Sequence, residues 1–424
     1  MSHVVESTDL VQPSGQADSR LLLIVLWSGF ACGAVAFLAG IFMGSADQVW
    51  RALLINTLFF AGLAYGSIMF AVMATITAAR WARPIKRFAE ATVLFIPVSW
   101  GLFLLLFFGM DSFFEWVDPA KVIAEKSWWL NLPLFLSRNI LLLLVTGLVG
   151  IFYVRSSFKA DMRYLYRVAP DRISGLARRI FPETDRRDND QRRQLVLAPI
   201  FAILYAVLTC LLAFDWMMSI DQAWYSSLFG FQYSIASIYA AGAFLILVSA
   251  IARRRINLEA VLTADRHNDL SRLVFASSLI WTYFIYAQLL VIWYANLPEE
   301  TPYLILRIHS EPWSGFFQFL AVTLFLIPFF GLLTQRACRS ISFSSFIAGI
   351  ILFGLWCEKY FLIVPTLMEH HALQGGPSGI SINIWDVMIT IGVAAAFVLA
   401  FLYVLRHFPN LPISDPLLHE IEQS

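Results

Sequence analysis

The chain has 424 residues, 59% of them hydrophobic and only 14% charged, with a formal net charge of +1; an average soluble domain is about 25% charged. That balance excludes a soluble globular domain and offers no basic surface for nucleic acid, so the excess apolar surface has to face lipid. Phe occurs 37 times and Trp 14 times, a loading suited to packed membrane bundles with aromatic belts at their interfaces.

Residues 1–19 form a polar tail with Glu6, Asp9 and Asp18. The tail lacks the basic start and small-residue cleavage site of a signal peptide, so the first helix is expected to be retained. Ten apolar stretches follow, at 20–43, 50–78, 88–109, 132–154, 195–219, 229–252, 270–296, 313–334, 341–365 and 384–405. Each is near the length of about 20 residues that a spanning helix needs. Lipid-exposed backbone must bond within its own segment, and no alternating barrel pattern is present, so the expected fold is an all-α polytopic membrane protein. Between the fourth and fifth stretches, the segment 155–194 mixes Arg with Asp (RRIFPETDRRDNDQRR) and reads as a solvated hairpin or short amphipathic helix. The loops on the other side are of another kind. DSFFEWVDPAKVIAEKSWWLNLP, SIDQAWYSSLFG, NLPEETPYLILRIHSEPW and MEHHALQGGPSGISINIW are rich in aromatic residues, Pro and Gly, which suits a lid pressed against another subunit.

Charge sets the expected orientation, because cytoplasmic loops retain Lys and Arg. With the N-terminus inside, 24 of the 30 basic residues face the cytoplasm, and both termini are cytoplasmic, the tail at 407–424 included. The other side keeps only Arg51, Lys121, Lys126, Arg138, Arg307 and Lys359. It also carries Asp111, Glu115, Asp215, Asp221, Glu299, Glu300, Glu358 and Asp386. At 1.5 Å per residue, Asp215 lies about 30 Å along its helix, Glu358 about 27 Å and Asp111 about 34 Å, so all three reach the outer interface. Arg138 and Asp386 begin their helices in the same layer. A hydroquinone losing electrons must hand its protons to a positioned carboxylate or His, so this layer is a candidate quinone-headgroup or proton-release site; interfacial solvation with Arg–carboxylate pairing is the competing expectation. His370 and His371, beside Glu369, suit a proton relay better than a metal site. FFGMDSFFEW and FDWMMSIDQAW echo one another, as a duplicated bundle or generic helix-end chemistry would both produce.

Some chemistry is missing. All seven His residues lie in tails, loops or helix ends, whereas a membrane b-type haem needs axial His inside helices. There is no set of cysteines for an iron–sulfur cluster, no P-loop and no dinucleotide-binding glycine pattern. Cys32, Cys210, Cys338 and Cys357 are expected to be free, buried packing residues. Neutral polar groups occupy the helix centres (Asn56, Thr57, Tyr65 and Ser67; Gln232, Tyr233, Ser234 and Tyr239; Thr282, Tyr283, Tyr286 and Gln288), where interhelical hydrogen bonding is their usual role.

WWLNLPLFLSRN, FDWMMSIDQAWYSSLFG, WTYFIYAQLLVIWYANLPEETPYLILR and EKYFLIVPTL resemble the recurrent motifs of quinone-interacting membrane subunits of the NrfD/PsrC type. Within that family the chain is most similar to the ActF membrane subunits of alternative complex III, and the resemblance covers essentially its whole length. It implies two four-helix bundles, 50–219 and 229–365, flanked by helices 20–43 and 384–405 within a domain spanning 20–406. It also implies a subunit, not catalytic alone, of a complex in the bacterial inner membrane that oxidises quinol. Iron–sulfur clusters and c-type haems on partner subunits would carry the electrons, beside a homologous quinol-binding membrane subunit, lipids and no nucleic acid. Quinone or quinol is the one ligand this reading allows the chain itself, with a proton path as a related role. The first motif brings Asp215, Asp221, Trp224 and Tyr225 into the candidate set, the second Trp293, Asn296, Glu299 and Glu300. The alternatives are a passive membrane anchor and a secondary transporter, the latter expected to show broken helices and a charged site at mid-depth.

Overall fold

The computed structural model describes residues 20–183, 189–255, 258–259, 261–373 and 379–415, with backbone only for 369–373. The protein is an all-α, multi-pass membrane protein, and among the described residues ten helices are long and apolar enough to cross a bilayer. They are α1 (Arg20–Phe42), α2 (Ala46–Ile76), α3 (Arg83–Ser112), α4 (Leu132–Val168) and α5 (Asp190–Trp216). The second half contributes α6 (Leu228–Arg255), α7 (Ala264–Ala295), α8 (Trp313–Leu332), α9 (Ile341–Leu373) and α10 (Ile384–His407).

The segment after the fourth apolar stretch is more helical than its charge suggests. α4 continues to Val168, so its 37 residues run about 55 Å at the α-helical rise, well past the hydrocarbon core. A short helix, Gly175–Ile180, follows, with Ser174 capping it by accepting from the Ala177 N–H. Of the two expectations for this segment, the short helix is the one its described part fits; 184–188 lie outside the described residues. α3 likewise starts at Arg83, five residues before the apolar stretch, and buries Arg83, Lys86, Arg87 and Glu90.

α2 sits at the centre and is buried around most of its circumference. α3, α4 and α5 pack about it on one side; α6 to α9 pack among themselves on the other, and α2 and α6 form the seam between the two groups. The seam is close because Gly62 and Gly66 face Ser237: a Cβ at Gly66 would lie 2.4 Å from the Ser237 carbonyl oxygen. Small residues four apart let helix backbones approach where lipid gives no hydrophobic drive for association. Mid-membrane polar groups tie helices together. The Asn56 amide donates to Thr390 Oγ1 of α10 and accepts from Trp356 Nε1 of α9, and the Tyr65 and Tyr233 hydroxyls donate to the carbonyls of Leu143 and Leu58.

Two helices are interrupted, each where a proline removes a helical N–H. In α3 a 3₁₀ turn, Ala91–Leu94, precedes Pro97, and in α8 a π-helical turn, Val322–Leu326, precedes Pro328. Pro328 cannot donate to the carbonyl of Leu324, and the Tyr239 hydroxyl of α6 donates to that oxygen instead, at 3.1 Å.

α1 is mostly lipid-exposed and is held chiefly by α10, where Gly33 and Gly392 cross. A Cβ on Gly392 would sit 2.7 Å from the Gly33 Cα, and backbone cannot yield as a side chain would. Gly392→Ala should therefore destabilise the chain in detergent by about 1–3 kcal/mol, as overpacking does. Gly349→Ala, where nothing lies within 4 Å, should not. Equal thermal midpoints for the two variants would refute the crossing. Cys32 is exposed on this same helix and Cys210 is half-buried, so only Cys338 and Cys357 take the fully packed position expected of all four.

Candidate functional site

The acid layer at the end opposite the arginine-rich loop divides: Asp111, Glu115 and Glu299 are exposed, whereas others of its carboxylates are buried. Asp215, Glu358 and Asp386 are 0%, 1% and 2% exposed, and each is held by a basic side chain. A carboxylate reaching the end of a helix can still be covered by the loops and helices that meet there, which depth along one helix does not reveal.

Asp215, near the end of α5, accepts two hydrogen bonds from Arg138 of α4, at 2.6 and 2.7 Å, and a third from the Asn139 amide at 2.7 Å. Asn139 accepts in turn from Trp216 Nε1, and Arg138 stacks over the Trp129 ring at 3.9 Å. The rings of Phe107, Phe135 and Trp216 fill the adjoining space, with centroids 5.2–6.3 Å apart. A carboxylate forked by an arginine and enclosed by aromatic rings acts as a structural clamp between α4 and α5. Asp386 has a similar part. It closes a capping box with Asn383 at the start of α10 and receives Arg51 of α2 at 3.2 Å, while Arg51 also donates to the Ser381 carbonyl.

Glu358 lines a cavity. Between α6, α7, α8, α9 and the short helix Thr301–Ile308 lies a space of ≈ 240 Å³, largely walled by aliphatic and aromatic side chains. Glu358 Oε1 accepts from Gln232 Nε2 at 3.0 Å and Trp281 Nε1 at 2.8 Å, and Oε2 from Lys359 Nζ at 2.6 Å. Gln232 accepts from Gln288, which accepts from the hydroxyl of Ser226 in the loop before α6. A file of hydrogen bonds thus runs from the buried carboxylate to that loop. Tyr286 lines the cavity and is 60% exposed, which opens it toward the lipid-facing flank of α7.

The far wall is a stack. Trp224 lies on Tyr303 with centroids 3.8 Å apart and planes 6° from parallel, and the Arg307 guanidinium sits 3.5 Å from the same ring. Burial pushes the Tyr303 hydroxyl up from its ordinary pKa, with Arg307 opposing, so it remains protonated at neutral pH. Trp224 Nε1 is buried with no hydrogen-bond acceptor, a donor at the cavity wall that a carbonyl would satisfy.

The remaining sequence candidates separate by role. Asp221 accepts from the backbone N–H groups of Ala223 and Trp224 and so holds the loop that presents Trp224. Glu300 is buried at the start of the Thr301–Ile308 helix, and Asn296 ends α7 in the left-handed region (φ 48°), which Asn tolerates well. Tyr225, Trp293 and Glu299 are exposed, as is Asp111, in contrast to the buried Asp215 it echoes in sequence. The side chains of His370 and His371 lie outside the described residues.

Two features escape a reading of the sequence. Arg307, Trp281 and Gln288 reach the cavity only through tertiary packing, although Gln288 follows Trp281 by seven residues and so shares its helix face. At the arginine-rich end, Arg87 pairs with Glu90 and Asp161, and Lys86 lies 3.7 Å from Glu90. The spacing Lys86–Arg87–Glu90 on an otherwise apolar helix is the available signal. Compared with models of known protein families and with curated proteins, the chain matches none of them.

Proposed function

We propose that this chain is a membrane subunit of a respiratory complex that oxidises quinol, and that the cavity between α6 and α9 holds the quinone headgroup. The observation that carries the reading is the cavity itself: apolar walls, an opening toward lipid, an unsatisfied indole donor and a single carboxylate at one end. Quinol loses two electrons and two protons. Glu358 is the group placed to accept a proton, and the Gln232–Gln288–Ser226 file leads from it toward the loop face. The electrons leave on iron–sulfur and c-haem partners. The arginine-rich face is cytoplasmic in this reading, with both termini on that side and the bacterial inner membrane as the location; the protons are released on the other side.

Purification from native membranes in a mild detergent should bring multihaem cytochrome and iron–sulfur absorbance with the chain. A chain that purifies alone would end this proposal. A second reading, a proton path across the bilayer, draws on the buried Lys86–Glu90–Asp161 group, which adjoins a cavity of ≈ 200 Å³ on the arginine-rich face. A secondary transporter would share the interrupted α8 but would need a charged group at mid-depth. Asn56, Tyr65, Tyr239 and Thr323, polar residues at that depth, are neutral and bonded within the helix packing.

A further inference from the structure

A second cleft, ≈ 650 Å³, lies on the arginine-rich face where the end of α4 meets the start of α5. Arg155, Lys159, Arg192 and Arg193 line it, with Asp190 as the one carboxylate among the described lining residues. Asp190 is buried and already held by Arg163, with Lys159 3.9 Å away, so the three arginines of the lining keep the cleft positive. It also contains the first turn of α5, whose leading N–H groups and dipole favour an anion.

The cleft is continuous with apolar surface. Phe152 of α4 and Val196 of α5 line it, and each heads a stripe that descends its helix. On α4 the stripe is Phe152, Leu148, Val145 and Leu141; on α5 it is Val196, Ile200, Ile203 and Val207. All eight are exposed, both stripes carry the same four-three-four spacing that keeps residues on one helix face, and the two helices pack together while running antiparallel. A cationic mouth above paired apolar tracks matches a phosphate headgroup carrying acyl chains.

We infer that the α4–α5 cleft binds an anionic phospholipid, its phosphate among Arg155, Arg192 and Arg193 and its acyl chains along the two stripes. The site is separate from the Glu358 cavity and does not depend on the role proposed for it.

The test uses the full chain in nanodiscs of phosphatidylcholine with and without phosphatidylglycerol, read by thermal midpoint and by native mass spectrometry after partial delipidation. The wild type should retain phosphatidylglycerol at least tenfold over phosphatidylcholine and unfold at higher temperature when it is present. R155A/R192A/R193A, exposed substitutions that leave the fold standing, should lose both effects, whereas R254A/R255A/R336A, on the same face outside the cleft, should keep them. Equal retention by the cleft variant and wild type overturns the inference, as does equal loss in the control variant, which would reduce the effect to general surface charge. Inorganic phosphate added to phosphatidylcholine nanodiscs should give no comparable shift; if it does, the ligand is free phosphate and the lipid assignment falls.

Discussion

Glu358→Gln is expected to lower quinol-dependent turnover of the assembled complex by about 10²- to 10⁴-fold, the usual contribution of one positioned acid–base group. The amide keeps an oxygen for Trp281 and Gln232, so the cavity wall survives, while the group that takes the proton is gone. The substitution also removes the counter-ion of Lys359, and the companion variant Lys359→Gln isolates that effect. Lys359→Gln should retain most turnover because Glu358 remains a base. Turnover would be assayed with a reduced quinone analogue and an artificial acceptor, alongside the thermal midpoint of each variant. Undiminished turnover in Glu358→Gln would remove this carboxylate from the proton chemistry; comparable loss in both variants would assign the effect to the ion pair.

Arg138→Ala should destabilise the protein by about 3–5 kcal/mol, because it leaves the Asp215 carboxylate buried without its bidentate partner. Removing both members with apolar replacements, Arg138→Met with Asp215→Leu, should recover much of that loss, since the penalty lies in the uncompensated charge. The comparison is made on thermal unfolding in detergent and on the level of chain in membranes. A double variant as damaged as the single one would show that the geometry of the pair, rather than charge compensation, holds α4 to α5. The expectation also separates Asp215 from Glu358. Both are buried acids on the same side, but Asp215, at the end of α5, is clamped in an aromatic plug, whereas Glu358, midway along α9, faces open space.

That separation marks how far the residues can be read one by one. Asp215 and Glu358 look alike in sequence, each near the end of an apolar stretch. What distinguishes them is whether the neighbouring helices bring an arginine fork and three rings or leave a cavity. The buried Lys86–Glu90 group is hidden for a related reason: Arg83, Lys86 and Arg87 precede the apolar stretch at 88–109, yet they join Glu90 in the first turns of α3, where Asp161 and the hydroxyl of Ser157 on α4 meet the group. Trp224 stands out as a motif residue, but its stacking on Tyr303 joins the loop before α6 to the short helix after α7, with two spanning helices between them in sequence.

Local sequence is enough to settle the solvent and the number of crossings. A bilayer tests each window of about 20 residues separately, and a backbone that must satisfy its own hydrogen bonds there has little choice but helix. Which charges meet, and where space remains, depends instead on the packed bundle. Arg138 and Asp215 are 77 residues apart and Arg51 and Asp386 are 335 apart, and these pairings depend on interhelical approach that no local pattern encodes. Glycines at 33, 62, 66 and 392 set how near the helices come, and the packing of α6 to α9 leaves Glu358 an open volume in place of a plug.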